Sequence, residues 1–589
     1  MQDNDSNQGS KAGNEIQSTV TRRKFFGKLG KATVAAAAVG ALGAAPFVGG
    51  REGTAEAGNA NSNANGRMND CFNYRKDTAI ARRVNIGAQK DNGDAARFTD
   101  FSGNFSKALL HDGLGVPNAA AWLSLKQAML SGDQADFANI IVGTPGGGGN
   151  SKLNGPQVAL AFDLEGLDSH ATVIPPAPSV ASAQTAAEAV EHYWGAILAD
   201  ISFTDYATDP LVGEAVADLN NMSFIKSSAN NLVPYPVTRQ NLFRGQFLLG
   251  DGNVKGPHIS QFMVQPTFFG AQPISQQYRT FSGNQAFMTG VAEYLQVANG
   301  GASQGSLGYD QTPRHIRNGR DLSAYTHADV LYQAYFTAFL LLDNLGAELN
   351  PGNPYIGSTT EKPFSTLGGP DAAGTIAEMA TRALKASWYH KWIKDMRLRP
   401  EEYGALVHAR KTGTSPMPQA AAALHSDVLN SQALSHTFAA HGTYLLPQAF
   451  PEGSPTHPCY PTGHGTVAGA CVTALKFFYN GSHKIRPLLQ SAGGEVAVPS
   501  SDGTALVEYA GSDRDSMDIN GELTKLAFNV SMGHGIHSGI HFRSSTYWSI
   551  LLGEQVALSV LQDRAKSYNE PFSISITRFD GTTATITNR

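Results

Sequence analysis

Hydrophobic residues recur at three- and four-residue steps along most of the chain, which is the period of amphipathic helices. Apolar side chains between Ala186 and Ile201 fall on one helical face, and residues 327–345 are apolar on most sides. The second pattern predicts a long buried helix. Strands do not alternate with helices, which argues against a Rossmann-type sheet. The chain is therefore predicted to be mainly α, built from helix bundles with long loops.

The C-terminal segment has a different period. Residues 573–576 and 583–586 alternate between apolar and polar side chains, and they flank Asp580-Gly581. An Asp-Gly pair tolerates the positive φ angles of a tight hairpin turn. We expect a small β-hairpin that closes the fold and carries no chemistry.

The N-terminal residues 1–57 have the composition of an export signal. A polar lead ends in Arg22-Arg23, an Ala/Gly-rich run occupies residues 32–50, and Ala55-Glu56-Ala57 follows. This order resembles a twin-arginine signal with a small-residue cleavage pattern. It predicts a periplasmic or secreted mature protein without a membrane span. The alternative is a disordered basic tail.

The remaining chain divides by composition into a linker and two helical regions. Residues 58–70 are rich in Gly, Asn and Ser, which predicts a flexible linker. Residues 71–325 are interpreted as an N-terminal helical domain, and residues 326–589 as a C-terminal helical domain that carries the site.

Charge and cysteine content exclude several classes of function. The net charge of −5 gives no reason to expect nucleic acid or an anionic membrane as a partner, so any anion site must be local. Cys71, Cys459 and Cys471 are an odd set without metal-ligand spacing. We interpret them as small buried hydrophobes. A bridge from Cys71 to one of the others is the alternative in an oxidising compartment.

Three segments place charged or polar groups where a buried helix face should be apolar. The first has an apolar stripe that runs from Ile376 to Trp388 and continues with Lys391, and Arg399 follows. A lysine on a buried face is costly unless an anion or a carboxylate meets it. The alternative is that Lys391 extends to the surface at the helix end.

The second segment predicts a helix start with anion-binding groups. Pro461 and Gly463 make a tight entry, so the helix should begin near Thr462 and Gly463. Free amides and the helix dipole favour an anion there. Thr462 adds a hydroxyl and His464 adds a proton donor or acceptor. An ordinary threonine cap is the alternative.

The third segment carries His534, His537 and His541 on one predicted helix stripe. Any one of them could be a core histidine, but three in succession favour a site. Together the segments supply two cations, a helix N-terminus, a hydroxyl and imidazoles, without a carboxylate cluster. This set suits a tetrahedral oxyanion such as phosphate or vanadate and does not suit divalent metals.

These residues also carry a family resemblance. Lys391, Arg399-Pro400, Pro461–His464 and His541-Phe542-Arg543 resemble the three-part signature of vanadium haloperoxidases and type 2 phosphatidic-acid phosphatases. Further segments are similar to bromoperoxidases of red algae and cyanobacteria, from about residue 70 to the C-terminus: residues 243–245, 256–262, 317–322 and 523–530.

The resemblance implies two four-helix bundles, a vanadate site in the C-terminal one, and a homo-oligomer. By position, His541 would ligate vanadium axially and His464 would act as acid and base. The oxygens would be held by Lys391, Arg399, Thr462 and Gly463. His457 matches a second histidine of the bromoperoxidase branch, whereas Trp388 resembles the chloroperoxidase branch.

Two positions depart from the family pattern. Thr462 stands where the family has serine, so an extra methyl group must fit beside the ion. The family's second arginine lies six residues before the axial histidine, where this chain has Gly535. Alignment from Phe528 suggests a one-residue insertion that puts His534 at the arginine's place. His534 could replace a permanent cation only when it is protonated.

The leading hypothesis is a vanadate-dependent haloperoxidase that uses hydrogen peroxide to oxidise halide, which then halogenates a small organic substrate. Bromide and iodide are the expected halides, and oxidation of chloride as well is the alternative. One alternative is a phosphatase in which His541 attacks phosphorus and His464 protonates the leaving group. Others are a catalytically decayed oxyanion-binding protein and, as a weak option, recruitment of a transition metal by the three histidines.

Overall fold

The computed structural model describes residues 64–147, 151–245 and 254–588, so the predicted export signal lies outside the described residues. Residues 70–589 form one compact unit. The α-helices are α1 Ala64–Ala81, α2 Asp94–Arg97, α3 Ala119–Ser131, α4 Gln134–Ala138, α5 Ala183–Ile197, α6 Pro210–Asn221, α7 Ser223–Lys226, α8 Val291–Ala298, α9 Gly319–Ala328, α10 Gln333–Asn344, α11 Gly369–Tyr389, α12 Pro400–Thr412, α13 Gln419–Ala422, α14 Ser426–Leu429, α15 Gln432–His441, α16 Gly463–Phe478, α17 Ile485–Ser491, α18 Ile519–Met532 and α19 Arg543–Ala565.

The strands of the described chain form four two-stranded antiparallel ribbons. They pair in chain order as β1 His111–Gly113 with β2 Val116–Pro117, β3 Thr267–Phe269 with β4 Gln272–Ile274, β5 Ala497–Pro499 with β6 Leu506–Glu508, and β7 Ser573–Thr577 with β8 Thr583–Thr587. The predicted C-terminal hairpin is confirmed, with Ile574 opposite Ile586 and Gly581 at φ 82° in the turn.

Helix α16 is the centre of a C-terminal bundle. Every residue of α16 is buried, and α10, α11, α18 and α19 pack around it. Further toward the N-terminus, α5 packs against α6, α7, α12, α14 and α15. Apolar side chains from both groups join one continuous core. The predicted fold class, mainly α with a small C-terminal hairpin, is confirmed.

Two predicted boundaries differ from the structure. The linker predicted over residues 58–70 is helical from Ala64 onward. The single helix predicted over residues 327–345 is two helices, since α9 ends at Ala328 and α10 begins at Gln333. Asp329 lies in the break, where a polar residue can turn toward the site. The predicted domain boundary at 325/326 falls inside α9, and the division into two domains stays a prediction.

Two of the site helices end in π-helical turns. Residues His390–Asp395 continue α11, and residues Gly533–His537 continue α18. A π-turn holds one more residue than an α-turn and is common at functional sites. The second π-turn contains the position where the sequence predicts a one-residue insertion.

The remaining sequence expectations concern cysteines and membranes. Cys459 and Cys471 are buried, as predicted, whereas Cys71 is exposed. All three are free thiols, so the alternative of a bridge from Cys71 is wrong. Within the described chain, we find no helix with the length and apolar character that crossing a membrane requires.

Candidate functional site

The three segments singled out in the sequence converge on a cavity of about 600 Å³ at one end of the C-terminal bundle. Five histidines line it: His327, His457, His464, His534 and His541. Gly463 and Trp388 line the same cavity, together with the pairs His327–Glu452 and His464–Asp329. The predicted site is therefore assembled in space.

Lys391 lies fully buried beneath this cavity. Its Nζ donates to the carbonyl oxygens of Pro458 at 2.7 Å and Cys459 at 3.3 Å, and it forms no ion pair with a described carboxylate. Burial, reinforced by the charge of Arg399, holds the pKa of Lys391 well below its usual value. The alternative of a surface-reaching lysine is wrong, and the site holds a buried amine whose protonated form an anionic ligand would favour.

Thr462 is the N-cap of α16, and Gly463 is its first helical residue. The Thr462 side chain does not make the usual capping hydrogen bond, so the simple cap is not its role. Its Oγ1 is buried without a hydrogen-bond partner in the described chain. An orphaned hydroxyl beside unpaired first-turn amides is a set of donors for an oxyanion.

The extra methyl group of Thr462 has a defined place. A Cβ atom built on Gly465 would lie 2.7 Å from Cγ2 of Thr462, so the methyl group occupies the space that a side chain at 465 would need. The same Cβ atom would lie still closer to Oγ of Ser549, so Thr462 and Ser549 together leave no room for a side chain at position 465.

Arg399 connects two of the site histidines. Its Nε donates to the carbonyl of His457 at 2.7 Å, and Nη2 donates to His457 Nδ1 at 2.8 Å. Nη1 lies 3.0 Å from His541 Nε2 and 2.9 Å from the carbonyl of Ile540. Burial, followed by the charges of neighbouring cations, holds the pKa values of both histidines well below normal. Both imidazoles are therefore neutral acceptors for Arg399.

His464 has a carboxylate partner that the sequence analysis missed. Its Nε2 lies 3.0 Å from Oδ1 of Asp329, whose side chain is 3% exposed. This corrects the expectation of a site without a carboxylate, since Asp329 and Glu452 both line the cavity, although the described residues form no metal-holding cluster. The contact joins residues 135 positions apart in the chain, so no local pattern could reveal it.

His534 does face the site, and its ring stacks on His464 with centroids 3.7 Å apart. Burial is the main reason that its pKa lies well below normal, and His464 and Arg399 lower the pKa further. His534 is therefore neutral at neutral pH. It does not supply the permanent charge of the arginine that the sequence alignment puts at this position.

This neutrality gives a direct prediction. Replacing His534 with Gln should change the vanadate dissociation constant at pH 7 by no more than about threefold, because no full charge is removed. Equilibrium dialysis against orthovanadate measures the constant. A tenfold or larger weakening would mean that His534 binds the oxyanion as a cation.

His537 and His541 do not share a helix stripe with His534, which corrects the third prediction. The helical segment ends at His537, and His541 lies in the turn before α19. His537 packs against Phe203 and Phe243, away from the cavity. It is a core histidine. Among the described residues, no three His, Cys, Asp or Glu side chains are grouped to hold a metal ion.

The donor set fits a tetrahedral oxyanion such as vanadate. Lys391 and Arg399 are buried basic side chains, and neither forms an ion pair with a described carboxylate. Thr462 and the first turn of α16 add neutral donors, and His541 offers an imidazole nitrogen from the opposite side. Buried unpaired charge is stabilised only by an opposite charge. Fold and site together define a helical-bundle protein with a buried oxyanion centre.

Comparison with known proteins gives the family. The chain is 32% identical over 568 residues to the vanadium-dependent bromoperoxidase of Corallina officinalis, covering 84% of this chain and 92% of that protein. It is 31% identical over 558 residues to the Corallina pilulifera enzyme, covering 82% and 91%. The Ascophyllum nodosum enzyme is 31% identical over 537 residues, covering 86% and 92%.

A solved structure agrees with this result. The chain superimposes on the homohexameric second vanadate-dependent bromoperoxidase of Ascophyllum nodosum with a TM-score of 0.80, 28% identity, and coverage of 93% and 94%. No family profile matches the chain. The chain belongs to the vanadium-dependent bromoperoxidases, and it is therefore a peroxidase of the oxidoreductase class with vanadate as its cofactor.

Proposed function

We propose that this enzyme uses hydrogen peroxide to oxidise bromide and iodide, and that the hypohalous product halogenates small organic substrates. The balance is one peroxide, one halide and one proton giving one hypohalous acid and one water. The observation that carries the proposal is the pair of buried basic side chains, Lys391 and Arg399, beside an orphaned hydroxyl and a helix N-terminus, in a chain related to bromoperoxidases.

The residues have distinct tasks in this proposal. Bound vanadate supplies the Lewis acid that activates peroxide. Lys391, Arg399, Thr462 and Gly463 would hold its oxygens, and His541 would provide the nitrogen ligand. His464 moves the proton. Its Nε2 is engaged by Asp329, so Nδ1 is the nitrogen that can receive a proton from peroxide and return one to the product.

Asp329 acts in this proposal by orienting His464. A buried carboxylate on one ring nitrogen fixes the tautomer and stabilises the imidazolium form. Replacing Asp329 with Asn should lower kcat for bromide oxidation about tenfold, because general acid–base catalysis as a whole contributes about 10²–10⁴. Glu452→Gln removes the other cavity carboxylate and is the matched control. Equal losses in both variants would contradict a specific role for Asp329.

Assembly and location are also part of the proposal. The structural relative is a homohexamer, which supports a homo-oligomer of this chain. The Arg22-Arg23 segment supports export by the twin-arginine pathway to the periplasm or the medium. Lysine at both positions should leave the full-length precursor inside the cell, which fractionation and immunoblotting would detect.

Halide choice is tested by steady-state kinetics with iodide, bromide and chloride at fixed peroxide. We expect kcat/KM for bromide and iodide to exceed that for chloride. Trp388 packs 4.8 Å from His457 and is fixed by a 3.1 Å hydrogen bond from its Nε1 to the Asn154 carbonyl, so it borders the site. Hydrolysis of a phosphate monoester without any halide turnover would favour the phosphatase alternative.

A further inference from the structure

Cys459 lies directly behind the proposed axial ligand, and none of the roles above uses it. Its side chain is fully buried, and Sγ lies 3.4 Å from Nδ1 of His541. Its backbone is fixed on both sides, since the N–H donates to Arg397 O at 2.9 Å and the carbonyl accepts from Lys391 at 3.3 Å. The thiol therefore has little freedom to move away from the imidazole.

The surroundings of His541 decide which ring nitrogen carries the proton. Nε2 faces Nη1 of Arg399 at 3.0 Å, and a guanidinium group can only donate. Nε2 must therefore be the acceptor, so the proton of the neutral ring is on Nδ1. Within the described chain, Sγ of Cys459 is the acceptor available to Nδ1–H, because the other neighbour of Nδ1 is again Arg399 at 3.5 Å.

The thiol can serve as this acceptor while it donates elsewhere. The carbonyl of Ile540 lies 3.9 Å from Sγ, and the Ser545 hydroxyl lies 3.5 Å away. Either can take the thiol proton. Histidine ligands usually donate their second N–H to a carboxylate, a carbonyl or water. Here a sulfur atom occupies that position.

We propose that Cys459 is a positioning residue that holds His541 in the Nδ1–H tautomer and so keeps the ring lone pair on Nε2, the atom that faces Arg399 in this structure and that vanadate would take over when it binds. The inference rests on the proposed function, in which His541 would be the nitrogen ligand. Loss of a hydrogen-bond partner behind a ligating histidine typically weakens binding of the group about 10–100-fold. Cys459 should therefore affect vanadate affinity more than protein stability.

The test compares vanadate dissociation constants of the full-length variants by equilibrium dialysis against orthovanadate, with thermal unfolding of the vanadate-free proteins alongside. Cys459→Ala should weaken binding about 10–100-fold, whereas Cys459→Ser, which keeps an acceptor, should stay within about threefold of the parent. Cys471→Ala is the matched control, because Cys471 is buried in α16 and its thiol donates to Ile376 O at 3.4 Å, away from the cavity.

The results distinguish failure of the positioning role from failure of the proposed function. Parent-like vanadate binding by Cys459→Ala, or a loss in Cys459→Ser as large as in Cys459→Ala, would overturn the positioning role. A parent protein that does not bind vanadate would overturn the proposed function instead. If Cys459→Ala does not fold, Cys459→Val removes the acceptor while it fills the space, and the same thresholds apply to it.

Discussion

Replacing Lys391 with Met should weaken vanadate binding by about 10²-fold to 4 × 10³-fold. Removing one partner of a buried charge interaction costs about 3–5 kcal/mol, and each 1.4 kcal/mol is about tenfold in affinity. In the described chain the partners of Lys391 Nζ are two backbone carbonyls and the ring of Trp388, whose centroid lies 5.6 Å away, and none of them is a carboxylate. Methionine keeps the length of the side chain. Equilibrium dialysis of both proteins against orthovanadate would measure the change.

The same residue predicts a pH dependence with a definite sign. Burial and then Arg399 depress the pKa of Lys391 in the free site, whereas a bound oxyanion favours the protonated amine. Binding therefore takes up a proton at Lys391, and affinity falls as pH rises above the free-site pKa. The protonation of the oxyanion itself also changes with pH. The test therefore compares the slope of vanadate affinity against pH in the parent with the same slope in Lys391→Met. Lys391→Met should show a shallower decrease with pH than the parent, and an equal slope would contradict this account.

Replacing His464 with Gln should lower kcat by about 10²–10⁴, which is the usual contribution of a positioned acid–base group. Glutamine can still donate to Asp329 but cannot carry a proton at neutral pH. Vanadate affinity should change by less than about tenfold, because no permanent cation is lost. The expected signature is therefore a fall in kcat with nearly normal vanadate binding.

The matched control for this variant is His327→Gln. His327 faces the same cavity and also pairs with a carboxylate, Glu452, at 2.6 Å, but it stacks on Phe450 and does not contact His464 or His541. Its replacement should leave kcat within a few-fold of the parent. Comparable losses in both variants would place the acid–base function elsewhere or make it a general property of the cavity.

The parts of the site that depend on local sequence could be predicted. The entry Pro461-Thr462-Gly463 ends at a helix start in any fold, so the anion-binding end of α16 follows from its residues. Lys391 interrupts an apolar stripe, and a buried charge of that kind indicates a ligand. These signals are short-range, and they agree with the structure.

The parts of the site that depend on distant contacts or irregular turns could not be predicted from the sequence. Asp329 reaches His464 only because α9 and α10 are separated by a break, and the apolar residues around it hid that break. His537 faces away from the cavity because a π-turn changes the direction of successive side chains after Met532. A regular helical period cannot represent either feature. No sequence pattern distinguishes Cys459 from other small buried residues. Only the folded structure places its Sγ beside His541.

The most direct test of the central claim is peroxide-dependent bromination of a phenol dye by the purified protein, freed of bound oxyanion and assayed with and without added orthovanadate. The account predicts bromination that appears only with vanadate and is lost together with vanadate binding in Lys391→Met. Bromination that is independent of vanadate, or its absence across pH 5–8 in a folded protein that binds vanadate, would contradict it.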